Sequence, residues 1–150
     1  MRLVVQRVSE ASVKLRGGEI VGKIGKGLFV LAGVKEGDKQ EDAEVLAGKL
    51  FKLRVMADSE GKMNLSVNDV EGKFLVVSQF TLHADTLGGN RPSFIKAADP
   101  KVAKEIYEYF VAKLKEAGAK VETGSFGDYM EITTKLDGPV TILYLDSNEN

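Results

Sequence analysis

Residues with β character come in runs that follow one another, and only two stretches with helical spacing interrupt them. Residues 2–8 and 11–15 are valine-rich and partly alternate apolar with polar, the pattern of strands that bury one face. Gly17-Gly18 marks a turn, and residues 19–24 read as the returning arm of a hairpin. Residues 28–34 are continuously apolar, as in a strand covered on both faces. Later β runs occupy 73–82, 119–123, 129–136 and 140–145.

The first helix is predicted over 40–56. Ala43, Leu46, Ala47, Leu50 and Leu53 form one apolar stripe. Asp38 is its expected cap, and Glu41, Asp42 and Glu44 suit the positive end of its dipole. Gly48 in its middle costs about 1 kcal/mol against alanine, which implies close packing on a sheet. The second helix starts at Asp99-Pro100, a cap followed by proline at the first helical position. It runs to about residue 117, with Val102, Ile106, Tyr109, Phe110 and Leu114 inward and Gly118 at its end. Residues 58–68 read as a loop or irregular hairpin, 86–93 as a loop, and 146–150 as a polar tail. Strands in succession rather than alternating with helices argue for an α+β fold. The expectation is a mostly antiparallel β-sheet or partial barrel with two main helices packed on it, formed by one domain over residues 1–150.

The chemistry is narrowed by what is missing. There is no cysteine and one histidine, His83. Thiol nucleophiles, disulfides and polyhistidine zinc sites are therefore excluded, and a Ser-His-Asp triad could use only His83. No apolar run reaches the roughly 18–20 residues of a membrane span, and the start of the chain shows no signal-peptide pattern. A cytoplasmic protein is expected. The net charge is −1, whereas nucleic-acid binders tend to be basic. The charge is uneven, however. Residues 86–104 carry Arg91, Lys96, Lys101 and Lys104 against Asp99 alone, and residues 2–16 carry Arg2, Arg7, Lys14 and Arg16 against Glu10. A locally basic face can hold phosphates; it is also what ordinary surface variation produces.

Three segments can carry function. Ser78-Gln79-Phe80-Thr81-Leu82 puts polar residues at the end of a buried strand, where they either pair with neighbouring backbone or face a ligand, since an unpaired buried polar group costs roughly 1–3 kcal/mol. Asp137-Gly138-Pro139-Val140-Thr141 reads as a turn; a cis Gly-Pro bond there would instead aim two carbonyls the same way. Gly88-Gly89-Asn90-Arg91-Pro92-Ser93-Phe94 is either a plain connection or a loop that grips phosphate and stacks on a base.

Taken with Val5-Gln6-Arg7-Val8, Ala11-Ser12-Val13, Gly61-Lys62-Met63-Asn64-Leu65 and Ala84-Asp85-Thr86, these segments make the chain resemble the D-aminoacyl-tRNA deacylase family over nearly its whole length. One departure is Leu136, where the family usually has asparagine. The resemblance implies a homodimeric α+β hydrolase with active sites near the subunit interface. It cleaves the ester of D-aminoacyl-tRNA at the acceptor end, as proofreading in translation. Gly138-Pro139 is implied to be cis, to enter the partner's site and to face Ser78, Gln79, Phe80 and Thr81 there, with Arg7 steadying the loop through its carbonyls. Such carbonyls can bind the α-amino group and exclude the Cβ of an L-residue, so glycyl-tRNA is expected to be attacked too. The family also implies assistance by the ribose 2′-hydroxyl, with backbone N–H groups around Phe80-Thr81 on the oxyanion and no metal or organic cofactor. Ser78 and Gln79 would position substrate, and Thr81 as a nucleophile is the lesser reading. The alternatives are a conventional esterase using Thr81 or Ser78 with His83, and a non-catalytic dimeric RNA- or metabolite-binding module.

Overall fold

The computed structural model describes residues 1–146; the expected polar tail lies, past Asp146, outside the described residues. In chain order the elements are β1 Arg2–Leu15, β2 Ile20–Ile24, β3 Gly27–Gly33, α1 Gln40–Phe51, β4 Met56–Ala57, β5 Met63–Leu65 and β6 Lys73–Ser78. A 3-10 turn Phe80–His83, α2 Pro100–Glu116, β7 Val121–Thr123 and β8 Met130–Tyr144 follow. This is the expected α+β architecture. The main sheet runs β2-β1-β3-β6-β7, with β8 on β1. β1 pairs antiparallel with β2, β3 and β8, whereas β3–β6 and β6–β7 are parallel. The sheet curls until its ends nearly meet: a Cβ on Gly22 of β2 would collide with the Thr123 carbonyl of β7, so only glycine allows that approach.

The sheet separates two apolar clusters. On β3, Leu28, Val30 and Ala32 face the helices, where they meet Ala43, Ala47, Leu50, Ile106, Phe110 and Leu114. Phe29 faces the barrel interior with Val8, Val13, Leu75 and Val77. This is the strand alternation of period two. Phe110 and Leu114 are fully buried, each contributing about 1.5–3 kcal/mol.

Several local expectations need correction. The two predicted strands at the start are one, and so are 129–136 and 140–145. Helix α1 stops at Phe51, and Met56 has already entered a short hairpin with β5. Its cap is Lys39, whose N–H donates to the Asp42 carboxylate. Asp38 instead accepts from the Lys35 N–H and pairs with the N-terminal amine. Gly48 packs against nothing: a Cβ there would meet open space. On α2 the buried stripe includes Tyr107 and Val111, while Val102 is exposed and Tyr109 half-buried. The predicted α2 cap is as expected, with Asp99 accepting from the Lys101 N–H and Pro100 opening the helix. Among the described residues no helix is long and apolar enough to cross a membrane.

Candidate functional site

The parallel strands β3 and β6 end side by side, and a cavity of about 550 Å³ opens beyond them. That volume falls within the roughly 300–1,000 Å³ of small-molecule sites. β6 stops at Ser78, and the chain turns at once into the 3-10 turn. The run expected to be β to residue 82 is thus cut short: the Gln79 N–H still donates to the Ala32 carbonyl of β3 at 2.8 Å, and beyond it the Leu82 and Ala84 N–H groups bond locally to the Gln79 and Thr81 carbonyls. Ser78, Gln79 and Phe80 line the cavity; Thr81 does not. The Gln79 side chain does not cap the turn. As the first residues of that turn, Phe80 and Thr81 carry backbone N–H groups that the turn itself cannot satisfy.

The facing walls are aromatic. Phe94 stands edge-on to Phe80, with ring centroids 5.1 Å apart. It is placed by a loop pinned at both ends, through reciprocal Asp85–Ser93 backbone bonds and Ala98 N–H to the Val34 carbonyl at 3.1 Å. The rest of the 88–94 segment lines no part of the cavity and is exposed apart from the half-buried Ser93. Tyr107 of α2 reaches across to donate to the Val76 carbonyl at 2.9 Å, and burial pushes its phenol pKa well up. Phe126 and Tyr129, from the β7–β8 connection, and Met130 and Ile132 of β8 complete the wall. Sequence reasoning missed Tyr107, Phe126, Tyr129 and Met130. The available signal was an aromatic between glycines in Gly124-Ser125-Phe126-Gly127.

Among the described residues, the titratable side chains on this wall are Tyr107, Asp128 and Tyr129. Asp128 is exposed and accepts from the Ser125 hydroxyl. His83 lies outside the cavity, buried behind Gly33, with its Nε2 unpartnered. It makes no hydrogen bond to Ser78 or Thr81, so the esterase reading lacks its base. No group of three or more histidine, aspartate or glutamate side chains among the described residues could hold a metal ion.

Gly138, Pro139 and Arg7 gather elsewhere. β8 pairs with β1 at Leu136–Val8 and again at Thr141–Gln6, and the residues between, 137–140, bulge out of the ladder opposite Arg7. The Gly138-Pro139 bond is cis and Gly138 has φ +134°. Arg7 holds the bulge: Nε donates to the Asp137 carbonyl at 3.0 Å and lies 3.3 Å from its carboxylate, while Nη1 donates to the Val55 carbonyl at 2.8 Å. The carbonyl it grips is that of Asp137, one residue before Gly138. Leu136 is exposed beside it. None of Arg7, Gly138 and Pro139 lines the cavity of its own chain.

A family model described as D-Tyr-tRNA(Tyr) deacylase matches residues 4–145. The chain is 53% identical over 150 residues to a D-aminoacyl-tRNA deacylase of Thermosipho melanesiensis, covering 99% of each chain. It is 51% identical over 149 residues to one of Aquifex aeolicus, again covering 99% of each. Among solved structures, the c-Myc DNA Unwinding Element Binding Protein superposes with TM-score 0.91 at 40% identity, covering 97% of this chain and 99% of that one. A chain described as a probable eukaryotic D-amino acid tRNA deacylase shares the fold, with TM-score 0.79 at 17% identity, covering 95% and 97%.

Proposed function

The chain belongs to the D-Tyr-tRNA(Tyr) deacylase family and is a D-aminoacyl-tRNA deacylase, a hydrolase; on that premise we propose how its own residues divide the work. The terminal adenosine and its aminoacyl ester enter the cavity beyond β3 and β6. Ser78 and Gln79 position the ester, and the Phe80 and Thr81 N–H groups stabilise the oxyanion as the ester carbonyl is attacked. The 2′-hydroxyl of the same ribose assists the attack, so no side-chain base is required. The whole chain acts as one deacylase unit, in the cytoplasm.

Two copies make one site. The Gly138-Pro139 bulge of one chain closes the cavity of the other, and its carbonyls bind the α-amino group and leave no room for an L-side Cβ. Glycine has no Cβ and passes the same test, so glycyl-tRNA is cleaved as well. Each tenfold of D over L selectivity needs about 1.4 kcal/mol of differential transition-state binding. A rigid backbone supplies this without reading the side chain. The observation that carries the two-chain reading is the separation of the parts. Met130 borders the cavity and Pro139 lies up to roughly 30 Å further along the same strand, at about 3.3 Å per residue. The outward face between them presents Leu136 and, beyond, Leu143 and Leu145, all exposed apolar residues that a second copy would cover.

The decisive experiment incubates the protein with D-tyrosyl-tRNA and L-tyrosyl-tRNA in parallel. Rapid loss of the D-ester alone is expected, and a terminal 2′-deoxyadenosine should abolish it. Equal loss of both esters would replace chiral selection with general esterase activity, and loss of neither would leave a binding protein.

A further inference from the structure

A second hollow, of about 360 Å³, lies on the far side of the wall that closes the cavity. The two share Tyr107 and Phe126, whose rings stand 5.8 Å apart. One aromatic layer therefore separates them. The hollow is walled by α2 on one side and by Thr123 and its neighbours after β7 on the other. Lys104, Tyr107, Glu108, Val111 and Lys115 all line it from α2, at the i, i+3, i+4, i+7, i+11 spacing of a single helical face. Lys104 and Lys115 stand at its two ends, about 16 Å apart along the helix axis.

The charge of this face is not consumed within the fold. Lys113, by contrast, turns to α1 and is paired with Glu44 and Glu116. Lys104 reaches Glu108 only at 4.0 Å, with both side chains well exposed, a contact of about 0.3–0.5 kcal/mol at most. Lys115 has no acidic partner among the described residues. Two lysines stand at the ends of a groove with Tyr107, Glu108 and Val111 between them. Its positive charge is thus split around one carboxylate, and it holds two separated negative charges better than one compact anion. A groove next to an adenosine cavity, long enough to run beside more than one phosphate, fits the backbone of the nucleotides that precede that adenosine.

Resting on the deacylase reading above, we propose that this groove binds the phosphodiester backbone of the single-stranded acceptor end, with Lys104 and Lys115 each meeting one phosphate. The RNA then leaves the cavity over the Tyr107–Phe126 wall and along α2, not over the exposed 88–94 loop with Arg91. The contacts read charge and not base identity, as an enzyme serving many tRNAs requires.

The test compares two substrates, D-tyrosyl-tRNA and the minimal ester 3′-O-D-tyrosyl-adenosine, with wild type, K104A/K115A and R91A across a range of salt. In K104A/K115A the ratio of kcat/KM on tRNA to that on the adenosine ester should fall at low salt. Two lost contacts at about 0.7 each on single strands remove about 1.4 from the log–log salt slope, a swing of about 25-fold per tenfold change in salt. R91A should leave the ratio in place. An unchanged ratio in K104A/K115A overturns the proposal. So does an equal fall on both substrates, which would put the lysines in the service of the cavity itself, and so does a loss confined to R91A. If the wild type cleaves neither substrate, the deacylase reading fails first and the groove loses its ligand with it.

Discussion

The cavity and the 137–140 bulge sit on the same long strand, β8, and are built in opposite ways. The cavity is recessed and assembled from distant pieces: the end of β6, the start of α2, the 93–98 loop and the β7–β8 connection. Its walls are apolar and aromatic, and its polar groups are few. The bulge is a local device. It is exposed on every residue but Val140, projects out of the ladder, and is braced from beneath by a single arginine reaching Asp137 and Val55. The cavity is finished on the inside and open at its mouth; the bulge is finished underneath and bare on top. Asp128 at the cavity rim accepts from the Ser125 hydroxyl, which lies outside the cavity, and among the described residues neither region places a base on Ser78 or Thr81. The difference matters to the proposed division of labour: if the cavity binds and the bulge selects, changes in each should fail in different ways.

The largest effect should come from the bulge. An alanine Cβ at Gly138 would lie 2.9 Å from the Val140 N and Cγ2 and 3.3 Å from Arg7 Nη2, at φ +134°. The backbone must shift. Gly138→Ala should lower kcat/KM on D-tyrosyl-tRNA by at least about 100-fold, equivalent to about 2.7 kcal/mol, while the protein stays folded. A folded variant within threefold of wild type would remove the bulge from the selection step.

The cavity should respond more mildly and in a different parameter. Phe126→Ala removes a wall on which a base can stack, at about 1–3 kcal/mol by alanine substitution. KM should rise about tenfold with kcat nearly unchanged. A matching fall in kcat would mean that Phe126 also aligns the ester, and the division between the two regions would blur.

The smallest effects are expected from the residues a conventional esterase would need. His83→Ala and Asp128→Asn should each leave kcat/KM within about threefold, since one lies outside the cavity and the other is exposed at its rim. Thermal melting should register His83→Ala as a loss of packing. Loss of turnover in a stably folded His83→Ala protein would reinstate the esterase reading.

The bulge was far more legible in the sequence than the cavity. Asp137-Gly138-Pro139 announces a turn through its own backbone preferences, and Asp99-Pro100 announces a helix start in the same way. Such signals act within a few residues. Ser78 and Gln79 were legible because polar residues interrupt an apolar strand. Phe126, Tyr107 and Met130 carried no comparable mark, since their convergence depends on how β7, α2 and β8 meet in space. The phase of α2 failed for a related reason. Val102 fits the helical period, but it sits exposed in the first turn, while Tyr107 is drawn in by its bond to Val76. The fusion of two predicted strands into β8 went unseen because a glycine and a proline normally end a strand, and here they bulge from it without ending the pairing.

The placement of bulge and cavity far apart on one strand has a genetic corollary. If each site takes its pocket from one copy and its closing loop from the other, a lesion in either part inactivates both sites of a pure dimer. A mixed dimer, with Gly138→Ala in one chain and a ruined cavity in its mate, would pair the one sound pocket with the one sound loop. Two silent alleles would complement each other, up to half the sites per mixed dimer. Co-refolded chains no more active than either alone would show that each copy works by itself.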